Sequence, residues 1–324
     1  MTLDPGAQRF VDRVNAGPAI WDVPVADVRC ATDAETLELF GAVDEVACVE
    51  DRILEGPAGP LRVRVYRPGP GPEADAPLPA LVYFHGGGWV VGSIESHDPV
   101  CRAIAARTPC VVVSVDCRLA PESCFPAAVE DAWAATTWVA EQGSSLGADP
   151  ARLAVGGDSA GGNLAAVVAL RARDCGLPLG LQILIYPVTD YDLDSRSYVE
   201  HGEGLNLTRA KMEWYWRQYL GGVDGAHAEA SPLRAADLRG VAPALVQTAE
   251  YDPLCGEGED YAAALERAGV PVTVTRYDSQ IHGFVRLAAL CTEPSAAAFD
   301  QIAAALRSLP TGFPRATAAT SLRL

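Results

Sequence analysis

After residue 77 the chain alternates between short apolar runs and longer stretches in which apolar residues recur at helical spacing. The runs lie at residues 80–84, 111–115, 153–155, 181–186, 244–248 and 272–275. Short continuous apolar runs bounded by turn residues read as strands buried on both faces. The stretches between or after them, 99–107, 127–141, 160–174, 258–268 and 296–309, read as helices. Alternating strand and helix predicts a mostly parallel sheet flanked by helices, an α/β fold.

Three regions depart from that rhythm. Residues 1–42 space Phe10, Val11 and Val14, then Leu37, Leu39 and Phe40, as helices would, with a break at Gly17-Pro18. They predict short helices ahead of the main domain. Two β-rich runs, 43–54 and 61–66, are separated by Gly56-Pro57 and Gly59-Pro60, as a hairpin requires. The proline-rich stretch 67–79 then predicts an exposed loop. Residues 190–239 hold no strand but do hold an aromatic helix around Trp214, Tyr215, Trp216 and Tyr219. An insertion following a strand is where ligand-covering structure belongs. The expected organisation is therefore helices at 1–42, the α/β domain at 43–189 and 240–324, and an insertion at 190–239. The tail from 311 is expected to fray.

Composition narrows the function. Hydrophobic residues make up 49% and charged residues 21%, enough for a large core. The net charge of −17 excludes a protein that neutralises many phosphates, so no nucleic-acid partner is expected, nor an anionic membrane surface. Lys211 stands alone among the lysines and the remaining basic residues are arginine, so the imbalance is a deficit of lysine. No apolar run has the roughly 18–20 residues of a membrane helix. The N-terminus lacks a basic segment followed by an apolar one, so a cytoplasmic protein is expected. The cysteines, 9 in all, form no C-x-x-C pair and read as reduced thiols. There is no H-E-x-x-H and no Cys/His cluster, so neither metal nor cofactor is expected.

The chemistry concentrates in two motifs. GDSAG, residues 157–161, follows the strand at 153–155 and opens the helix at 160–174. A serine on so tight a strand-to-helix turn presents its hydroxyl beside a helix N-terminus, where the dipole favours developing negative charge. GSSLG at 143–147 matches the same pattern around Ser145, but no strand enters it, and it reads as a loop. Context selects Ser159 as nucleophile. HGGGW, residues 85–89, follows the strand at 80–84. Its three successive glycines let backbone N–H groups turn toward a ligand, forming an oxyanion hole with the N–H of Ala160. His85 and Asp158 read as braces for the loop and the elbow.

A nucleophilic serine needs a base and an acid. His282, the last histidine in the chain, follows the strand at 272–275 and is the candidate base. Asp252 follows the strand at 244–248 and is the favoured acid, with Glu250, Asp278 and Asp260 as rivals. Trp89 beside the oxyanion loop and, in the insertion, Trp214, with Tyr215 and Trp216 beside it, are candidate substrate contacts, although aromatics on an amphipathic helix more often serve packing.

Taken together, LVYFHGGGWVVGS, DCRLAPESCFPAAVEDAW, GDSAGGNLAA, LIYPV, DPLCGEGEDYA and HGF resemble the hormone-sensitive lipase family of α/β-hydrolases, the bacterial family IV esterases, over residues 43–309. The resemblance implies the α/β-hydrolase fold with a helical cap made by 1–42 and 190–239. It implies Ser159, Asp252 and His282 as catalytic triad and Gly87, Gly88 and Ala160 as oxyanion donors. It also implies a serine carboxylesterase for small-molecule esters of short to medium acyl chain, as a monomer or homodimer. Amide hydrolysis or deacetylation on the same triad is the alternative; a non-catalytic receptor of the same family lacks the histidine that is present here. The chain departs from the family pattern at three places: Cys117 where tyrosine is common, Ser123-Cys124, and Cys255-Gly256 after DPL.

Overall fold

The structure is a computed structural model that describes residues 2–69 and 77–310. The core of the 67–79 loop and the tail from 311 lie outside the described residues. Three helices come first, α1 (Pro5–Asn15), α2 (Val25–Ala34) and α3 (Thr36–Phe40). A hairpin follows, β1 (Cys48–Gly56) with β2 (Gly59–Arg67), antiparallel in the register Gly56 to Gly59. The alternating part then runs β3 (Leu78–Phe84), α4 (Ile94–Arg107), β4 (Val111–Val115), α5 (Ala127–Gln142), β5 (Ala148–Asp158), α6 (Ala160–Cys175) and β6 (Leu181–Ile185). Two helices, α7 (Arg196–His201) and α8 (Arg209–Leu220), occupy the strandless insertion. The chain closes with β7 (Ala244–Tyr251), α9 (Cys255–Arg267), β8 (Val272–Ile281) and α10 (Thr292–Arg307).

All strands join one sheet in the order β1-β2-β4-β3-β5-β6-β7-β8. From β4 onward the pairings are parallel; β2 meets β1 and β4 antiparallel. Side chains alternate across a strand, and the sheet accordingly feeds two cores. Val82 and Phe84 join Val129, Ala165 and Leu265 on one side. Leu81 and Tyr83 join Ile104, Phe299 and Ile302 on the other. Burial on both faces is why these strands are legible as continuous apolar runs.

Boundaries differ from expectation where polar residues extend an element. The helix expected at 99–107 begins at Ile94 instead. Ser93 Oγ accepts from the Ser96 N–H (3.0 Å) and Ser96 Oγ accepts from the Ser93 N–H (2.8 Å), a capping box that starts the helix early. β8 continues past its apolar start through Arg276 and Asp278, because it is an edge strand whose residues are largely exposed. Ser145 sits in a short 3-10 turn after α5 and its Oγ donates to the Gln142 carbonyl (2.8 Å), consistent with a loop. The consequence for function is that the segments after β3, β5, β7 and β8 all emerge at the carboxyl end of the sheet, where such folds assemble their sites.

Candidate active site

Ser159 stands between β5 and α6 with φ 57° and ψ −119°, a region that non-glycine residues rarely occupy. Such strain, of order 1–3 kcal/mol, persists only where surrounding structure enforces it. Here the enforcement is close packing: a Cβ at Gly161 would lie 1.9 Å from the Phe84 carbonyl oxygen, so only glycine lets α6 approach β3 this closely.

The turn brings three separated residues into one chain of hydrogen bonds. Ser159 Oγ is 2.9 Å from His282 Nε2, and His282 Nδ1 is 2.7 Å from Asp252 Oδ2. The second oxygen of Asp252 accepts the Leu254 N–H at 2.9 Å, which fixes the carboxylate. Asp252 is fully buried, while Ser159 and His282 keep a small exposed edge. Glu250 is turned elsewhere and accepts the Ser279 N–H at 2.7 Å. Asp278 and Asp260 make no hydrogen bond to His282 among the described residues. Two further residues border the histidine: Asn206, which no motif marks, and Tyr186 of LIYPV. Asn206 Nδ2 donates to the His282 carbonyl (2.9 Å), and the Tyr186 ring lies 4.7 Å from the imidazole, centroid to centroid.

The HGGGW loop faces the same point. Asp158 ties it to the elbow, since its Oδ1 accepts from Tyr83 Oη (2.8 Å) and from the Gly86 N–H (3.0 Å). Burial works against the Asp158 charge, yet His97, Arg286 and Tyr83 together hold its pKa well below the ordinary carboxylate range. Burial pushes the His85 pKa down, and its Nδ1 is spent on the Gly86 carbonyl (2.8 Å); it braces the loop as a neutral ring. The N–H groups of Gly87, Gly88 and Ala160 donate to no acceptor among the described residues. Gly88 has φ 59°, and a Cβ there would strike the Tyr215 ring at 2.2 Å. The loop therefore lies directly against α8.

Ser159 and His282 open onto a cavity of about 440 Å³. Its walls combine the sheet end (Gly87, Tyr186), the N-terminal helices (Phe10, Val28) and the insertion (Met212, Tyr215).

Comparisons with known proteins place the chain in a family. Residues 81–286 match the family described as alpha/beta hydrolase fold. The esterase LipI of Mycobacterium tuberculosis is 46% identical over 240 residues, covering 73% of this chain and 75% of its own. The ethyl acetate hydrolase of Pseudomonas putida is 37% identical over 306 residues, covering 90% and 95%. Among solved structures, the hyperthermophilic esterase of Pyrobaculum calidifontis superposes with TM-score 0.87 at 44% identity, covering 95% of this chain and 99% of that one. The chain belongs to the hormone-sensitive-lipase-like esterases of the α/β-hydrolase fold.

Within this esterase, two expected substrate contacts need correction. Trp89 does not line the cavity; its ring stacks on Tyr219 at 4.1 Å and leans on Trp216. Trp214 is likewise buried, packed with Val90, Val91 and Ala120. The aromatic that does face the cavity from α8 is Tyr215. Adjacent helix positions point about 100° apart, so only packing decides which one meets the ligand. No helix among the described residues is long and apolar enough to cross a membrane.

The esterase also buries Glu257 on α9. Burial drives its pKa well above the carboxylate range, although Oε1 accepts the Thr189 N–H at 2.7 Å, and Oε2 has no partner. The folded protein therefore keeps the proton on this carboxyl to higher pH than the unfolded chain does. Such a group contributes stability below its unfolded pKa of about 4.3 and loses that contribution as pH rises toward the folded value. Glu257→Gln copies the neutral form. Its melting temperature is expected to gain on the parent's between about pH 5 and pH 8; a difference that is flat or shrinks over that range contradicts the protonated assignment.

Proposed function

We propose that this chain is a serine carboxylesterase acting on small esters of short to medium acyl chain, with Ser159 as nucleophile, His282 as general base and acid, and Asp252 as the orienting carboxylate. The observation that carries the reading is the buried relay Ser159–His282–Asp252, with distances of 2.9 and 2.7 Å, opening on a cavity of about 440 Å³. Ser159 Oγ attacks the ester carbonyl as His282 Nε2 takes its proton. The N–H groups of Gly87, Gly88 and Ala160 stabilise the oxyanion. The tetrahedral intermediate expels the alcohol, which takes the proton from His282, and leaves an acyl-serine. Water, deprotonated by His282, then adds to the acyl carbon, and the carboxylic acid departs as Ser159 regains its proton. Asp252 keeps Nε2 free to accept by holding the proton on Nδ1, and it stabilises the imidazolium.

Residues 1–42 and 190–239 form the cap in this reading. Phe10, Val28, Met212 and Tyr215 close the cavity from that side, which limits the acyl chain it admits. The test is hydrolysis of p-nitrophenyl esters from acetate to palmitate. Rates peaking at short or medium chains are expected; rates that climb toward palmitate contradict the short-chain assignment.

A further inference from the structure

The substrate cavity is lined by a cation that has no carboxylate partner among the described residues. Arg286 follows His282 on the same turn, its N–H bonded to the Gly283 carbonyl at 2.9 Å, and it lines the cavity together with Ser159 and His282. Its guanidinium makes no ion pair and no side-chain hydrogen bond among the described residues, and its Nε is buried without a partner. No other described arginine is in this position. Each of the rest either pairs with a carboxylate, as Arg13, Arg118 and Arg171 do, or is exposed, as Arg9, Arg217, Arg267 and Arg307 are. In a chain of net charge −17 an unpaired, partly buried cation is conspicuous. Leaving such a charge without a counter-ion costs free energy.

The nearby carboxylates do not supply that counter-ion. Asp158 feels the Arg286 charge, but its hydrogen bonds go to Tyr83 and Gly86. Glu35 lines the cavity but pairs with Arg13 at 3.1 Å, and Asp27 is exposed at the α2 side. A second cation faces the cavity. Lys211, the lone lysine, donates only to the Asn206 carbonyl (2.6 Å) and has no carboxylate partner among the described residues. The positive charge of Arg286 also reaches Tyr186 and Tyr215, which border the reacting serine.

Building on the ester-hydrolase reading above, we propose that Arg286 is an anion-binding, specificity-determining residue of the substrate cavity, and that preferred substrates are esters bearing a free carboxylate on their acyl or alcohol part. A planar guanidinium with free N–H groups matches a carboxylate in geometry as well as charge. Half-esters of dicarboxylic acids and esters of hydroxy acids are the two chemical classes that qualify.

Matched pairs test this on the full-length chain. Monoethyl succinate against ethyl butyrate places the carboxylate on the acyl side. 4-Carboxyphenyl butyrate against 4-methylphenyl butyrate places it on the alcohol side. The readout is the anionic-to-neutral ratio of kcat/KM in the parent, Arg286→Gln, Arg286→Lys and Arg286→Glu; intrinsic reactivity cancels when ratios are compared between proteins. In one pair the ratio is expected to fall about 10- to 100-fold in Arg286→Gln, the range of a charge-assisted contact, less in Arg286→Lys and more in Arg286→Glu. The responding pair identifies which part of the ester carries the charge. In the parent the ratio should also fall between about 0.05 and 0.5 M salt, which keeps the test decisive if the variants do not fold. Ratios that ignore salt in both pairs, or that ignore charge reversal at Arg286 in folded variants, overturn the proposal while hydrolysis of the neutral esters leaves the esterase reading standing. A folded parent that hydrolyses none of the four esters overturns both.

Discussion

Ser159→Ala is expected to lose about a millionfold in kcat, the size of effect seen when the nucleophile of an interdependent triad is removed. In the proposed mechanism Oγ forms the covalent bond to the acyl carbon, and no other hydroxyl among the described residues is hydrogen-bonded to His282 Nε2. The only other serine in a matching G-x-S-x-G, Ser145, donates to the Gln142 carbonyl in a separate turn. The fold should survive, because alanine is no larger than serine and the tight approach of α6 to β3 depends on Gly161. Residual turnover is measured with p-nitrophenyl butyrate and melting temperature by calorimetry. A folded variant with rates near the parent's removes Ser159 from the mechanism.

Asp252→Asn comes next, at about four orders of magnitude in kcat, by the logic that an amide in place of the carboxylate favours the wrong tautomer of the histidine. Its Oδ2 sits 2.7 Å from His282 Nδ1 while Oδ1 is anchored by the Leu254 N–H, so the substitution changes charge and donor pattern with little change of shape. Glu250→Gln is the internal comparison. Glu250 accepts the Ser279 N–H and supports the entry to the histidine loop without touching the ring, so its loss should be far smaller. Steady-state kinetics of both variants on one ester rank them; the reverse order transfers the acid's role to Glu250.

How much of this was legible in the sequence follows from what each feature requires locally. The elbow needs small residues at fixed offsets from the serine, and the oxyanion loop needs consecutive glycines, so GDSAG and HGGGW report themselves. The order of Ser159, Asp252 and His282, each placed after an apolar strand, was readable because those strands are buried on both faces. Strand ends were less visible: β8 continues through Arg276 and Asp278 because an edge position tolerates polar residues. Trp214 and Tyr215 are neighbours in the chain, and only the packing of α8 on the HGGGW loop decides that Tyr215 faces the cavity. Asn206, which holds the backbone of His282, and the lack of a side-chain partner for Arg286 among the described residues depend on distant parts of the chain and are encoded by no local pattern.

The role of Ser159 as nucleophile is tested by intact-protein mass spectrometry after treatment with a fluorophosphonate, followed by peptide mapping. One adduct per chain is expected, located on Ser159 and absent from Ser159→Ala. An active, folded protein that takes no adduct, or takes it on another residue such as Ser145, would contradict that role.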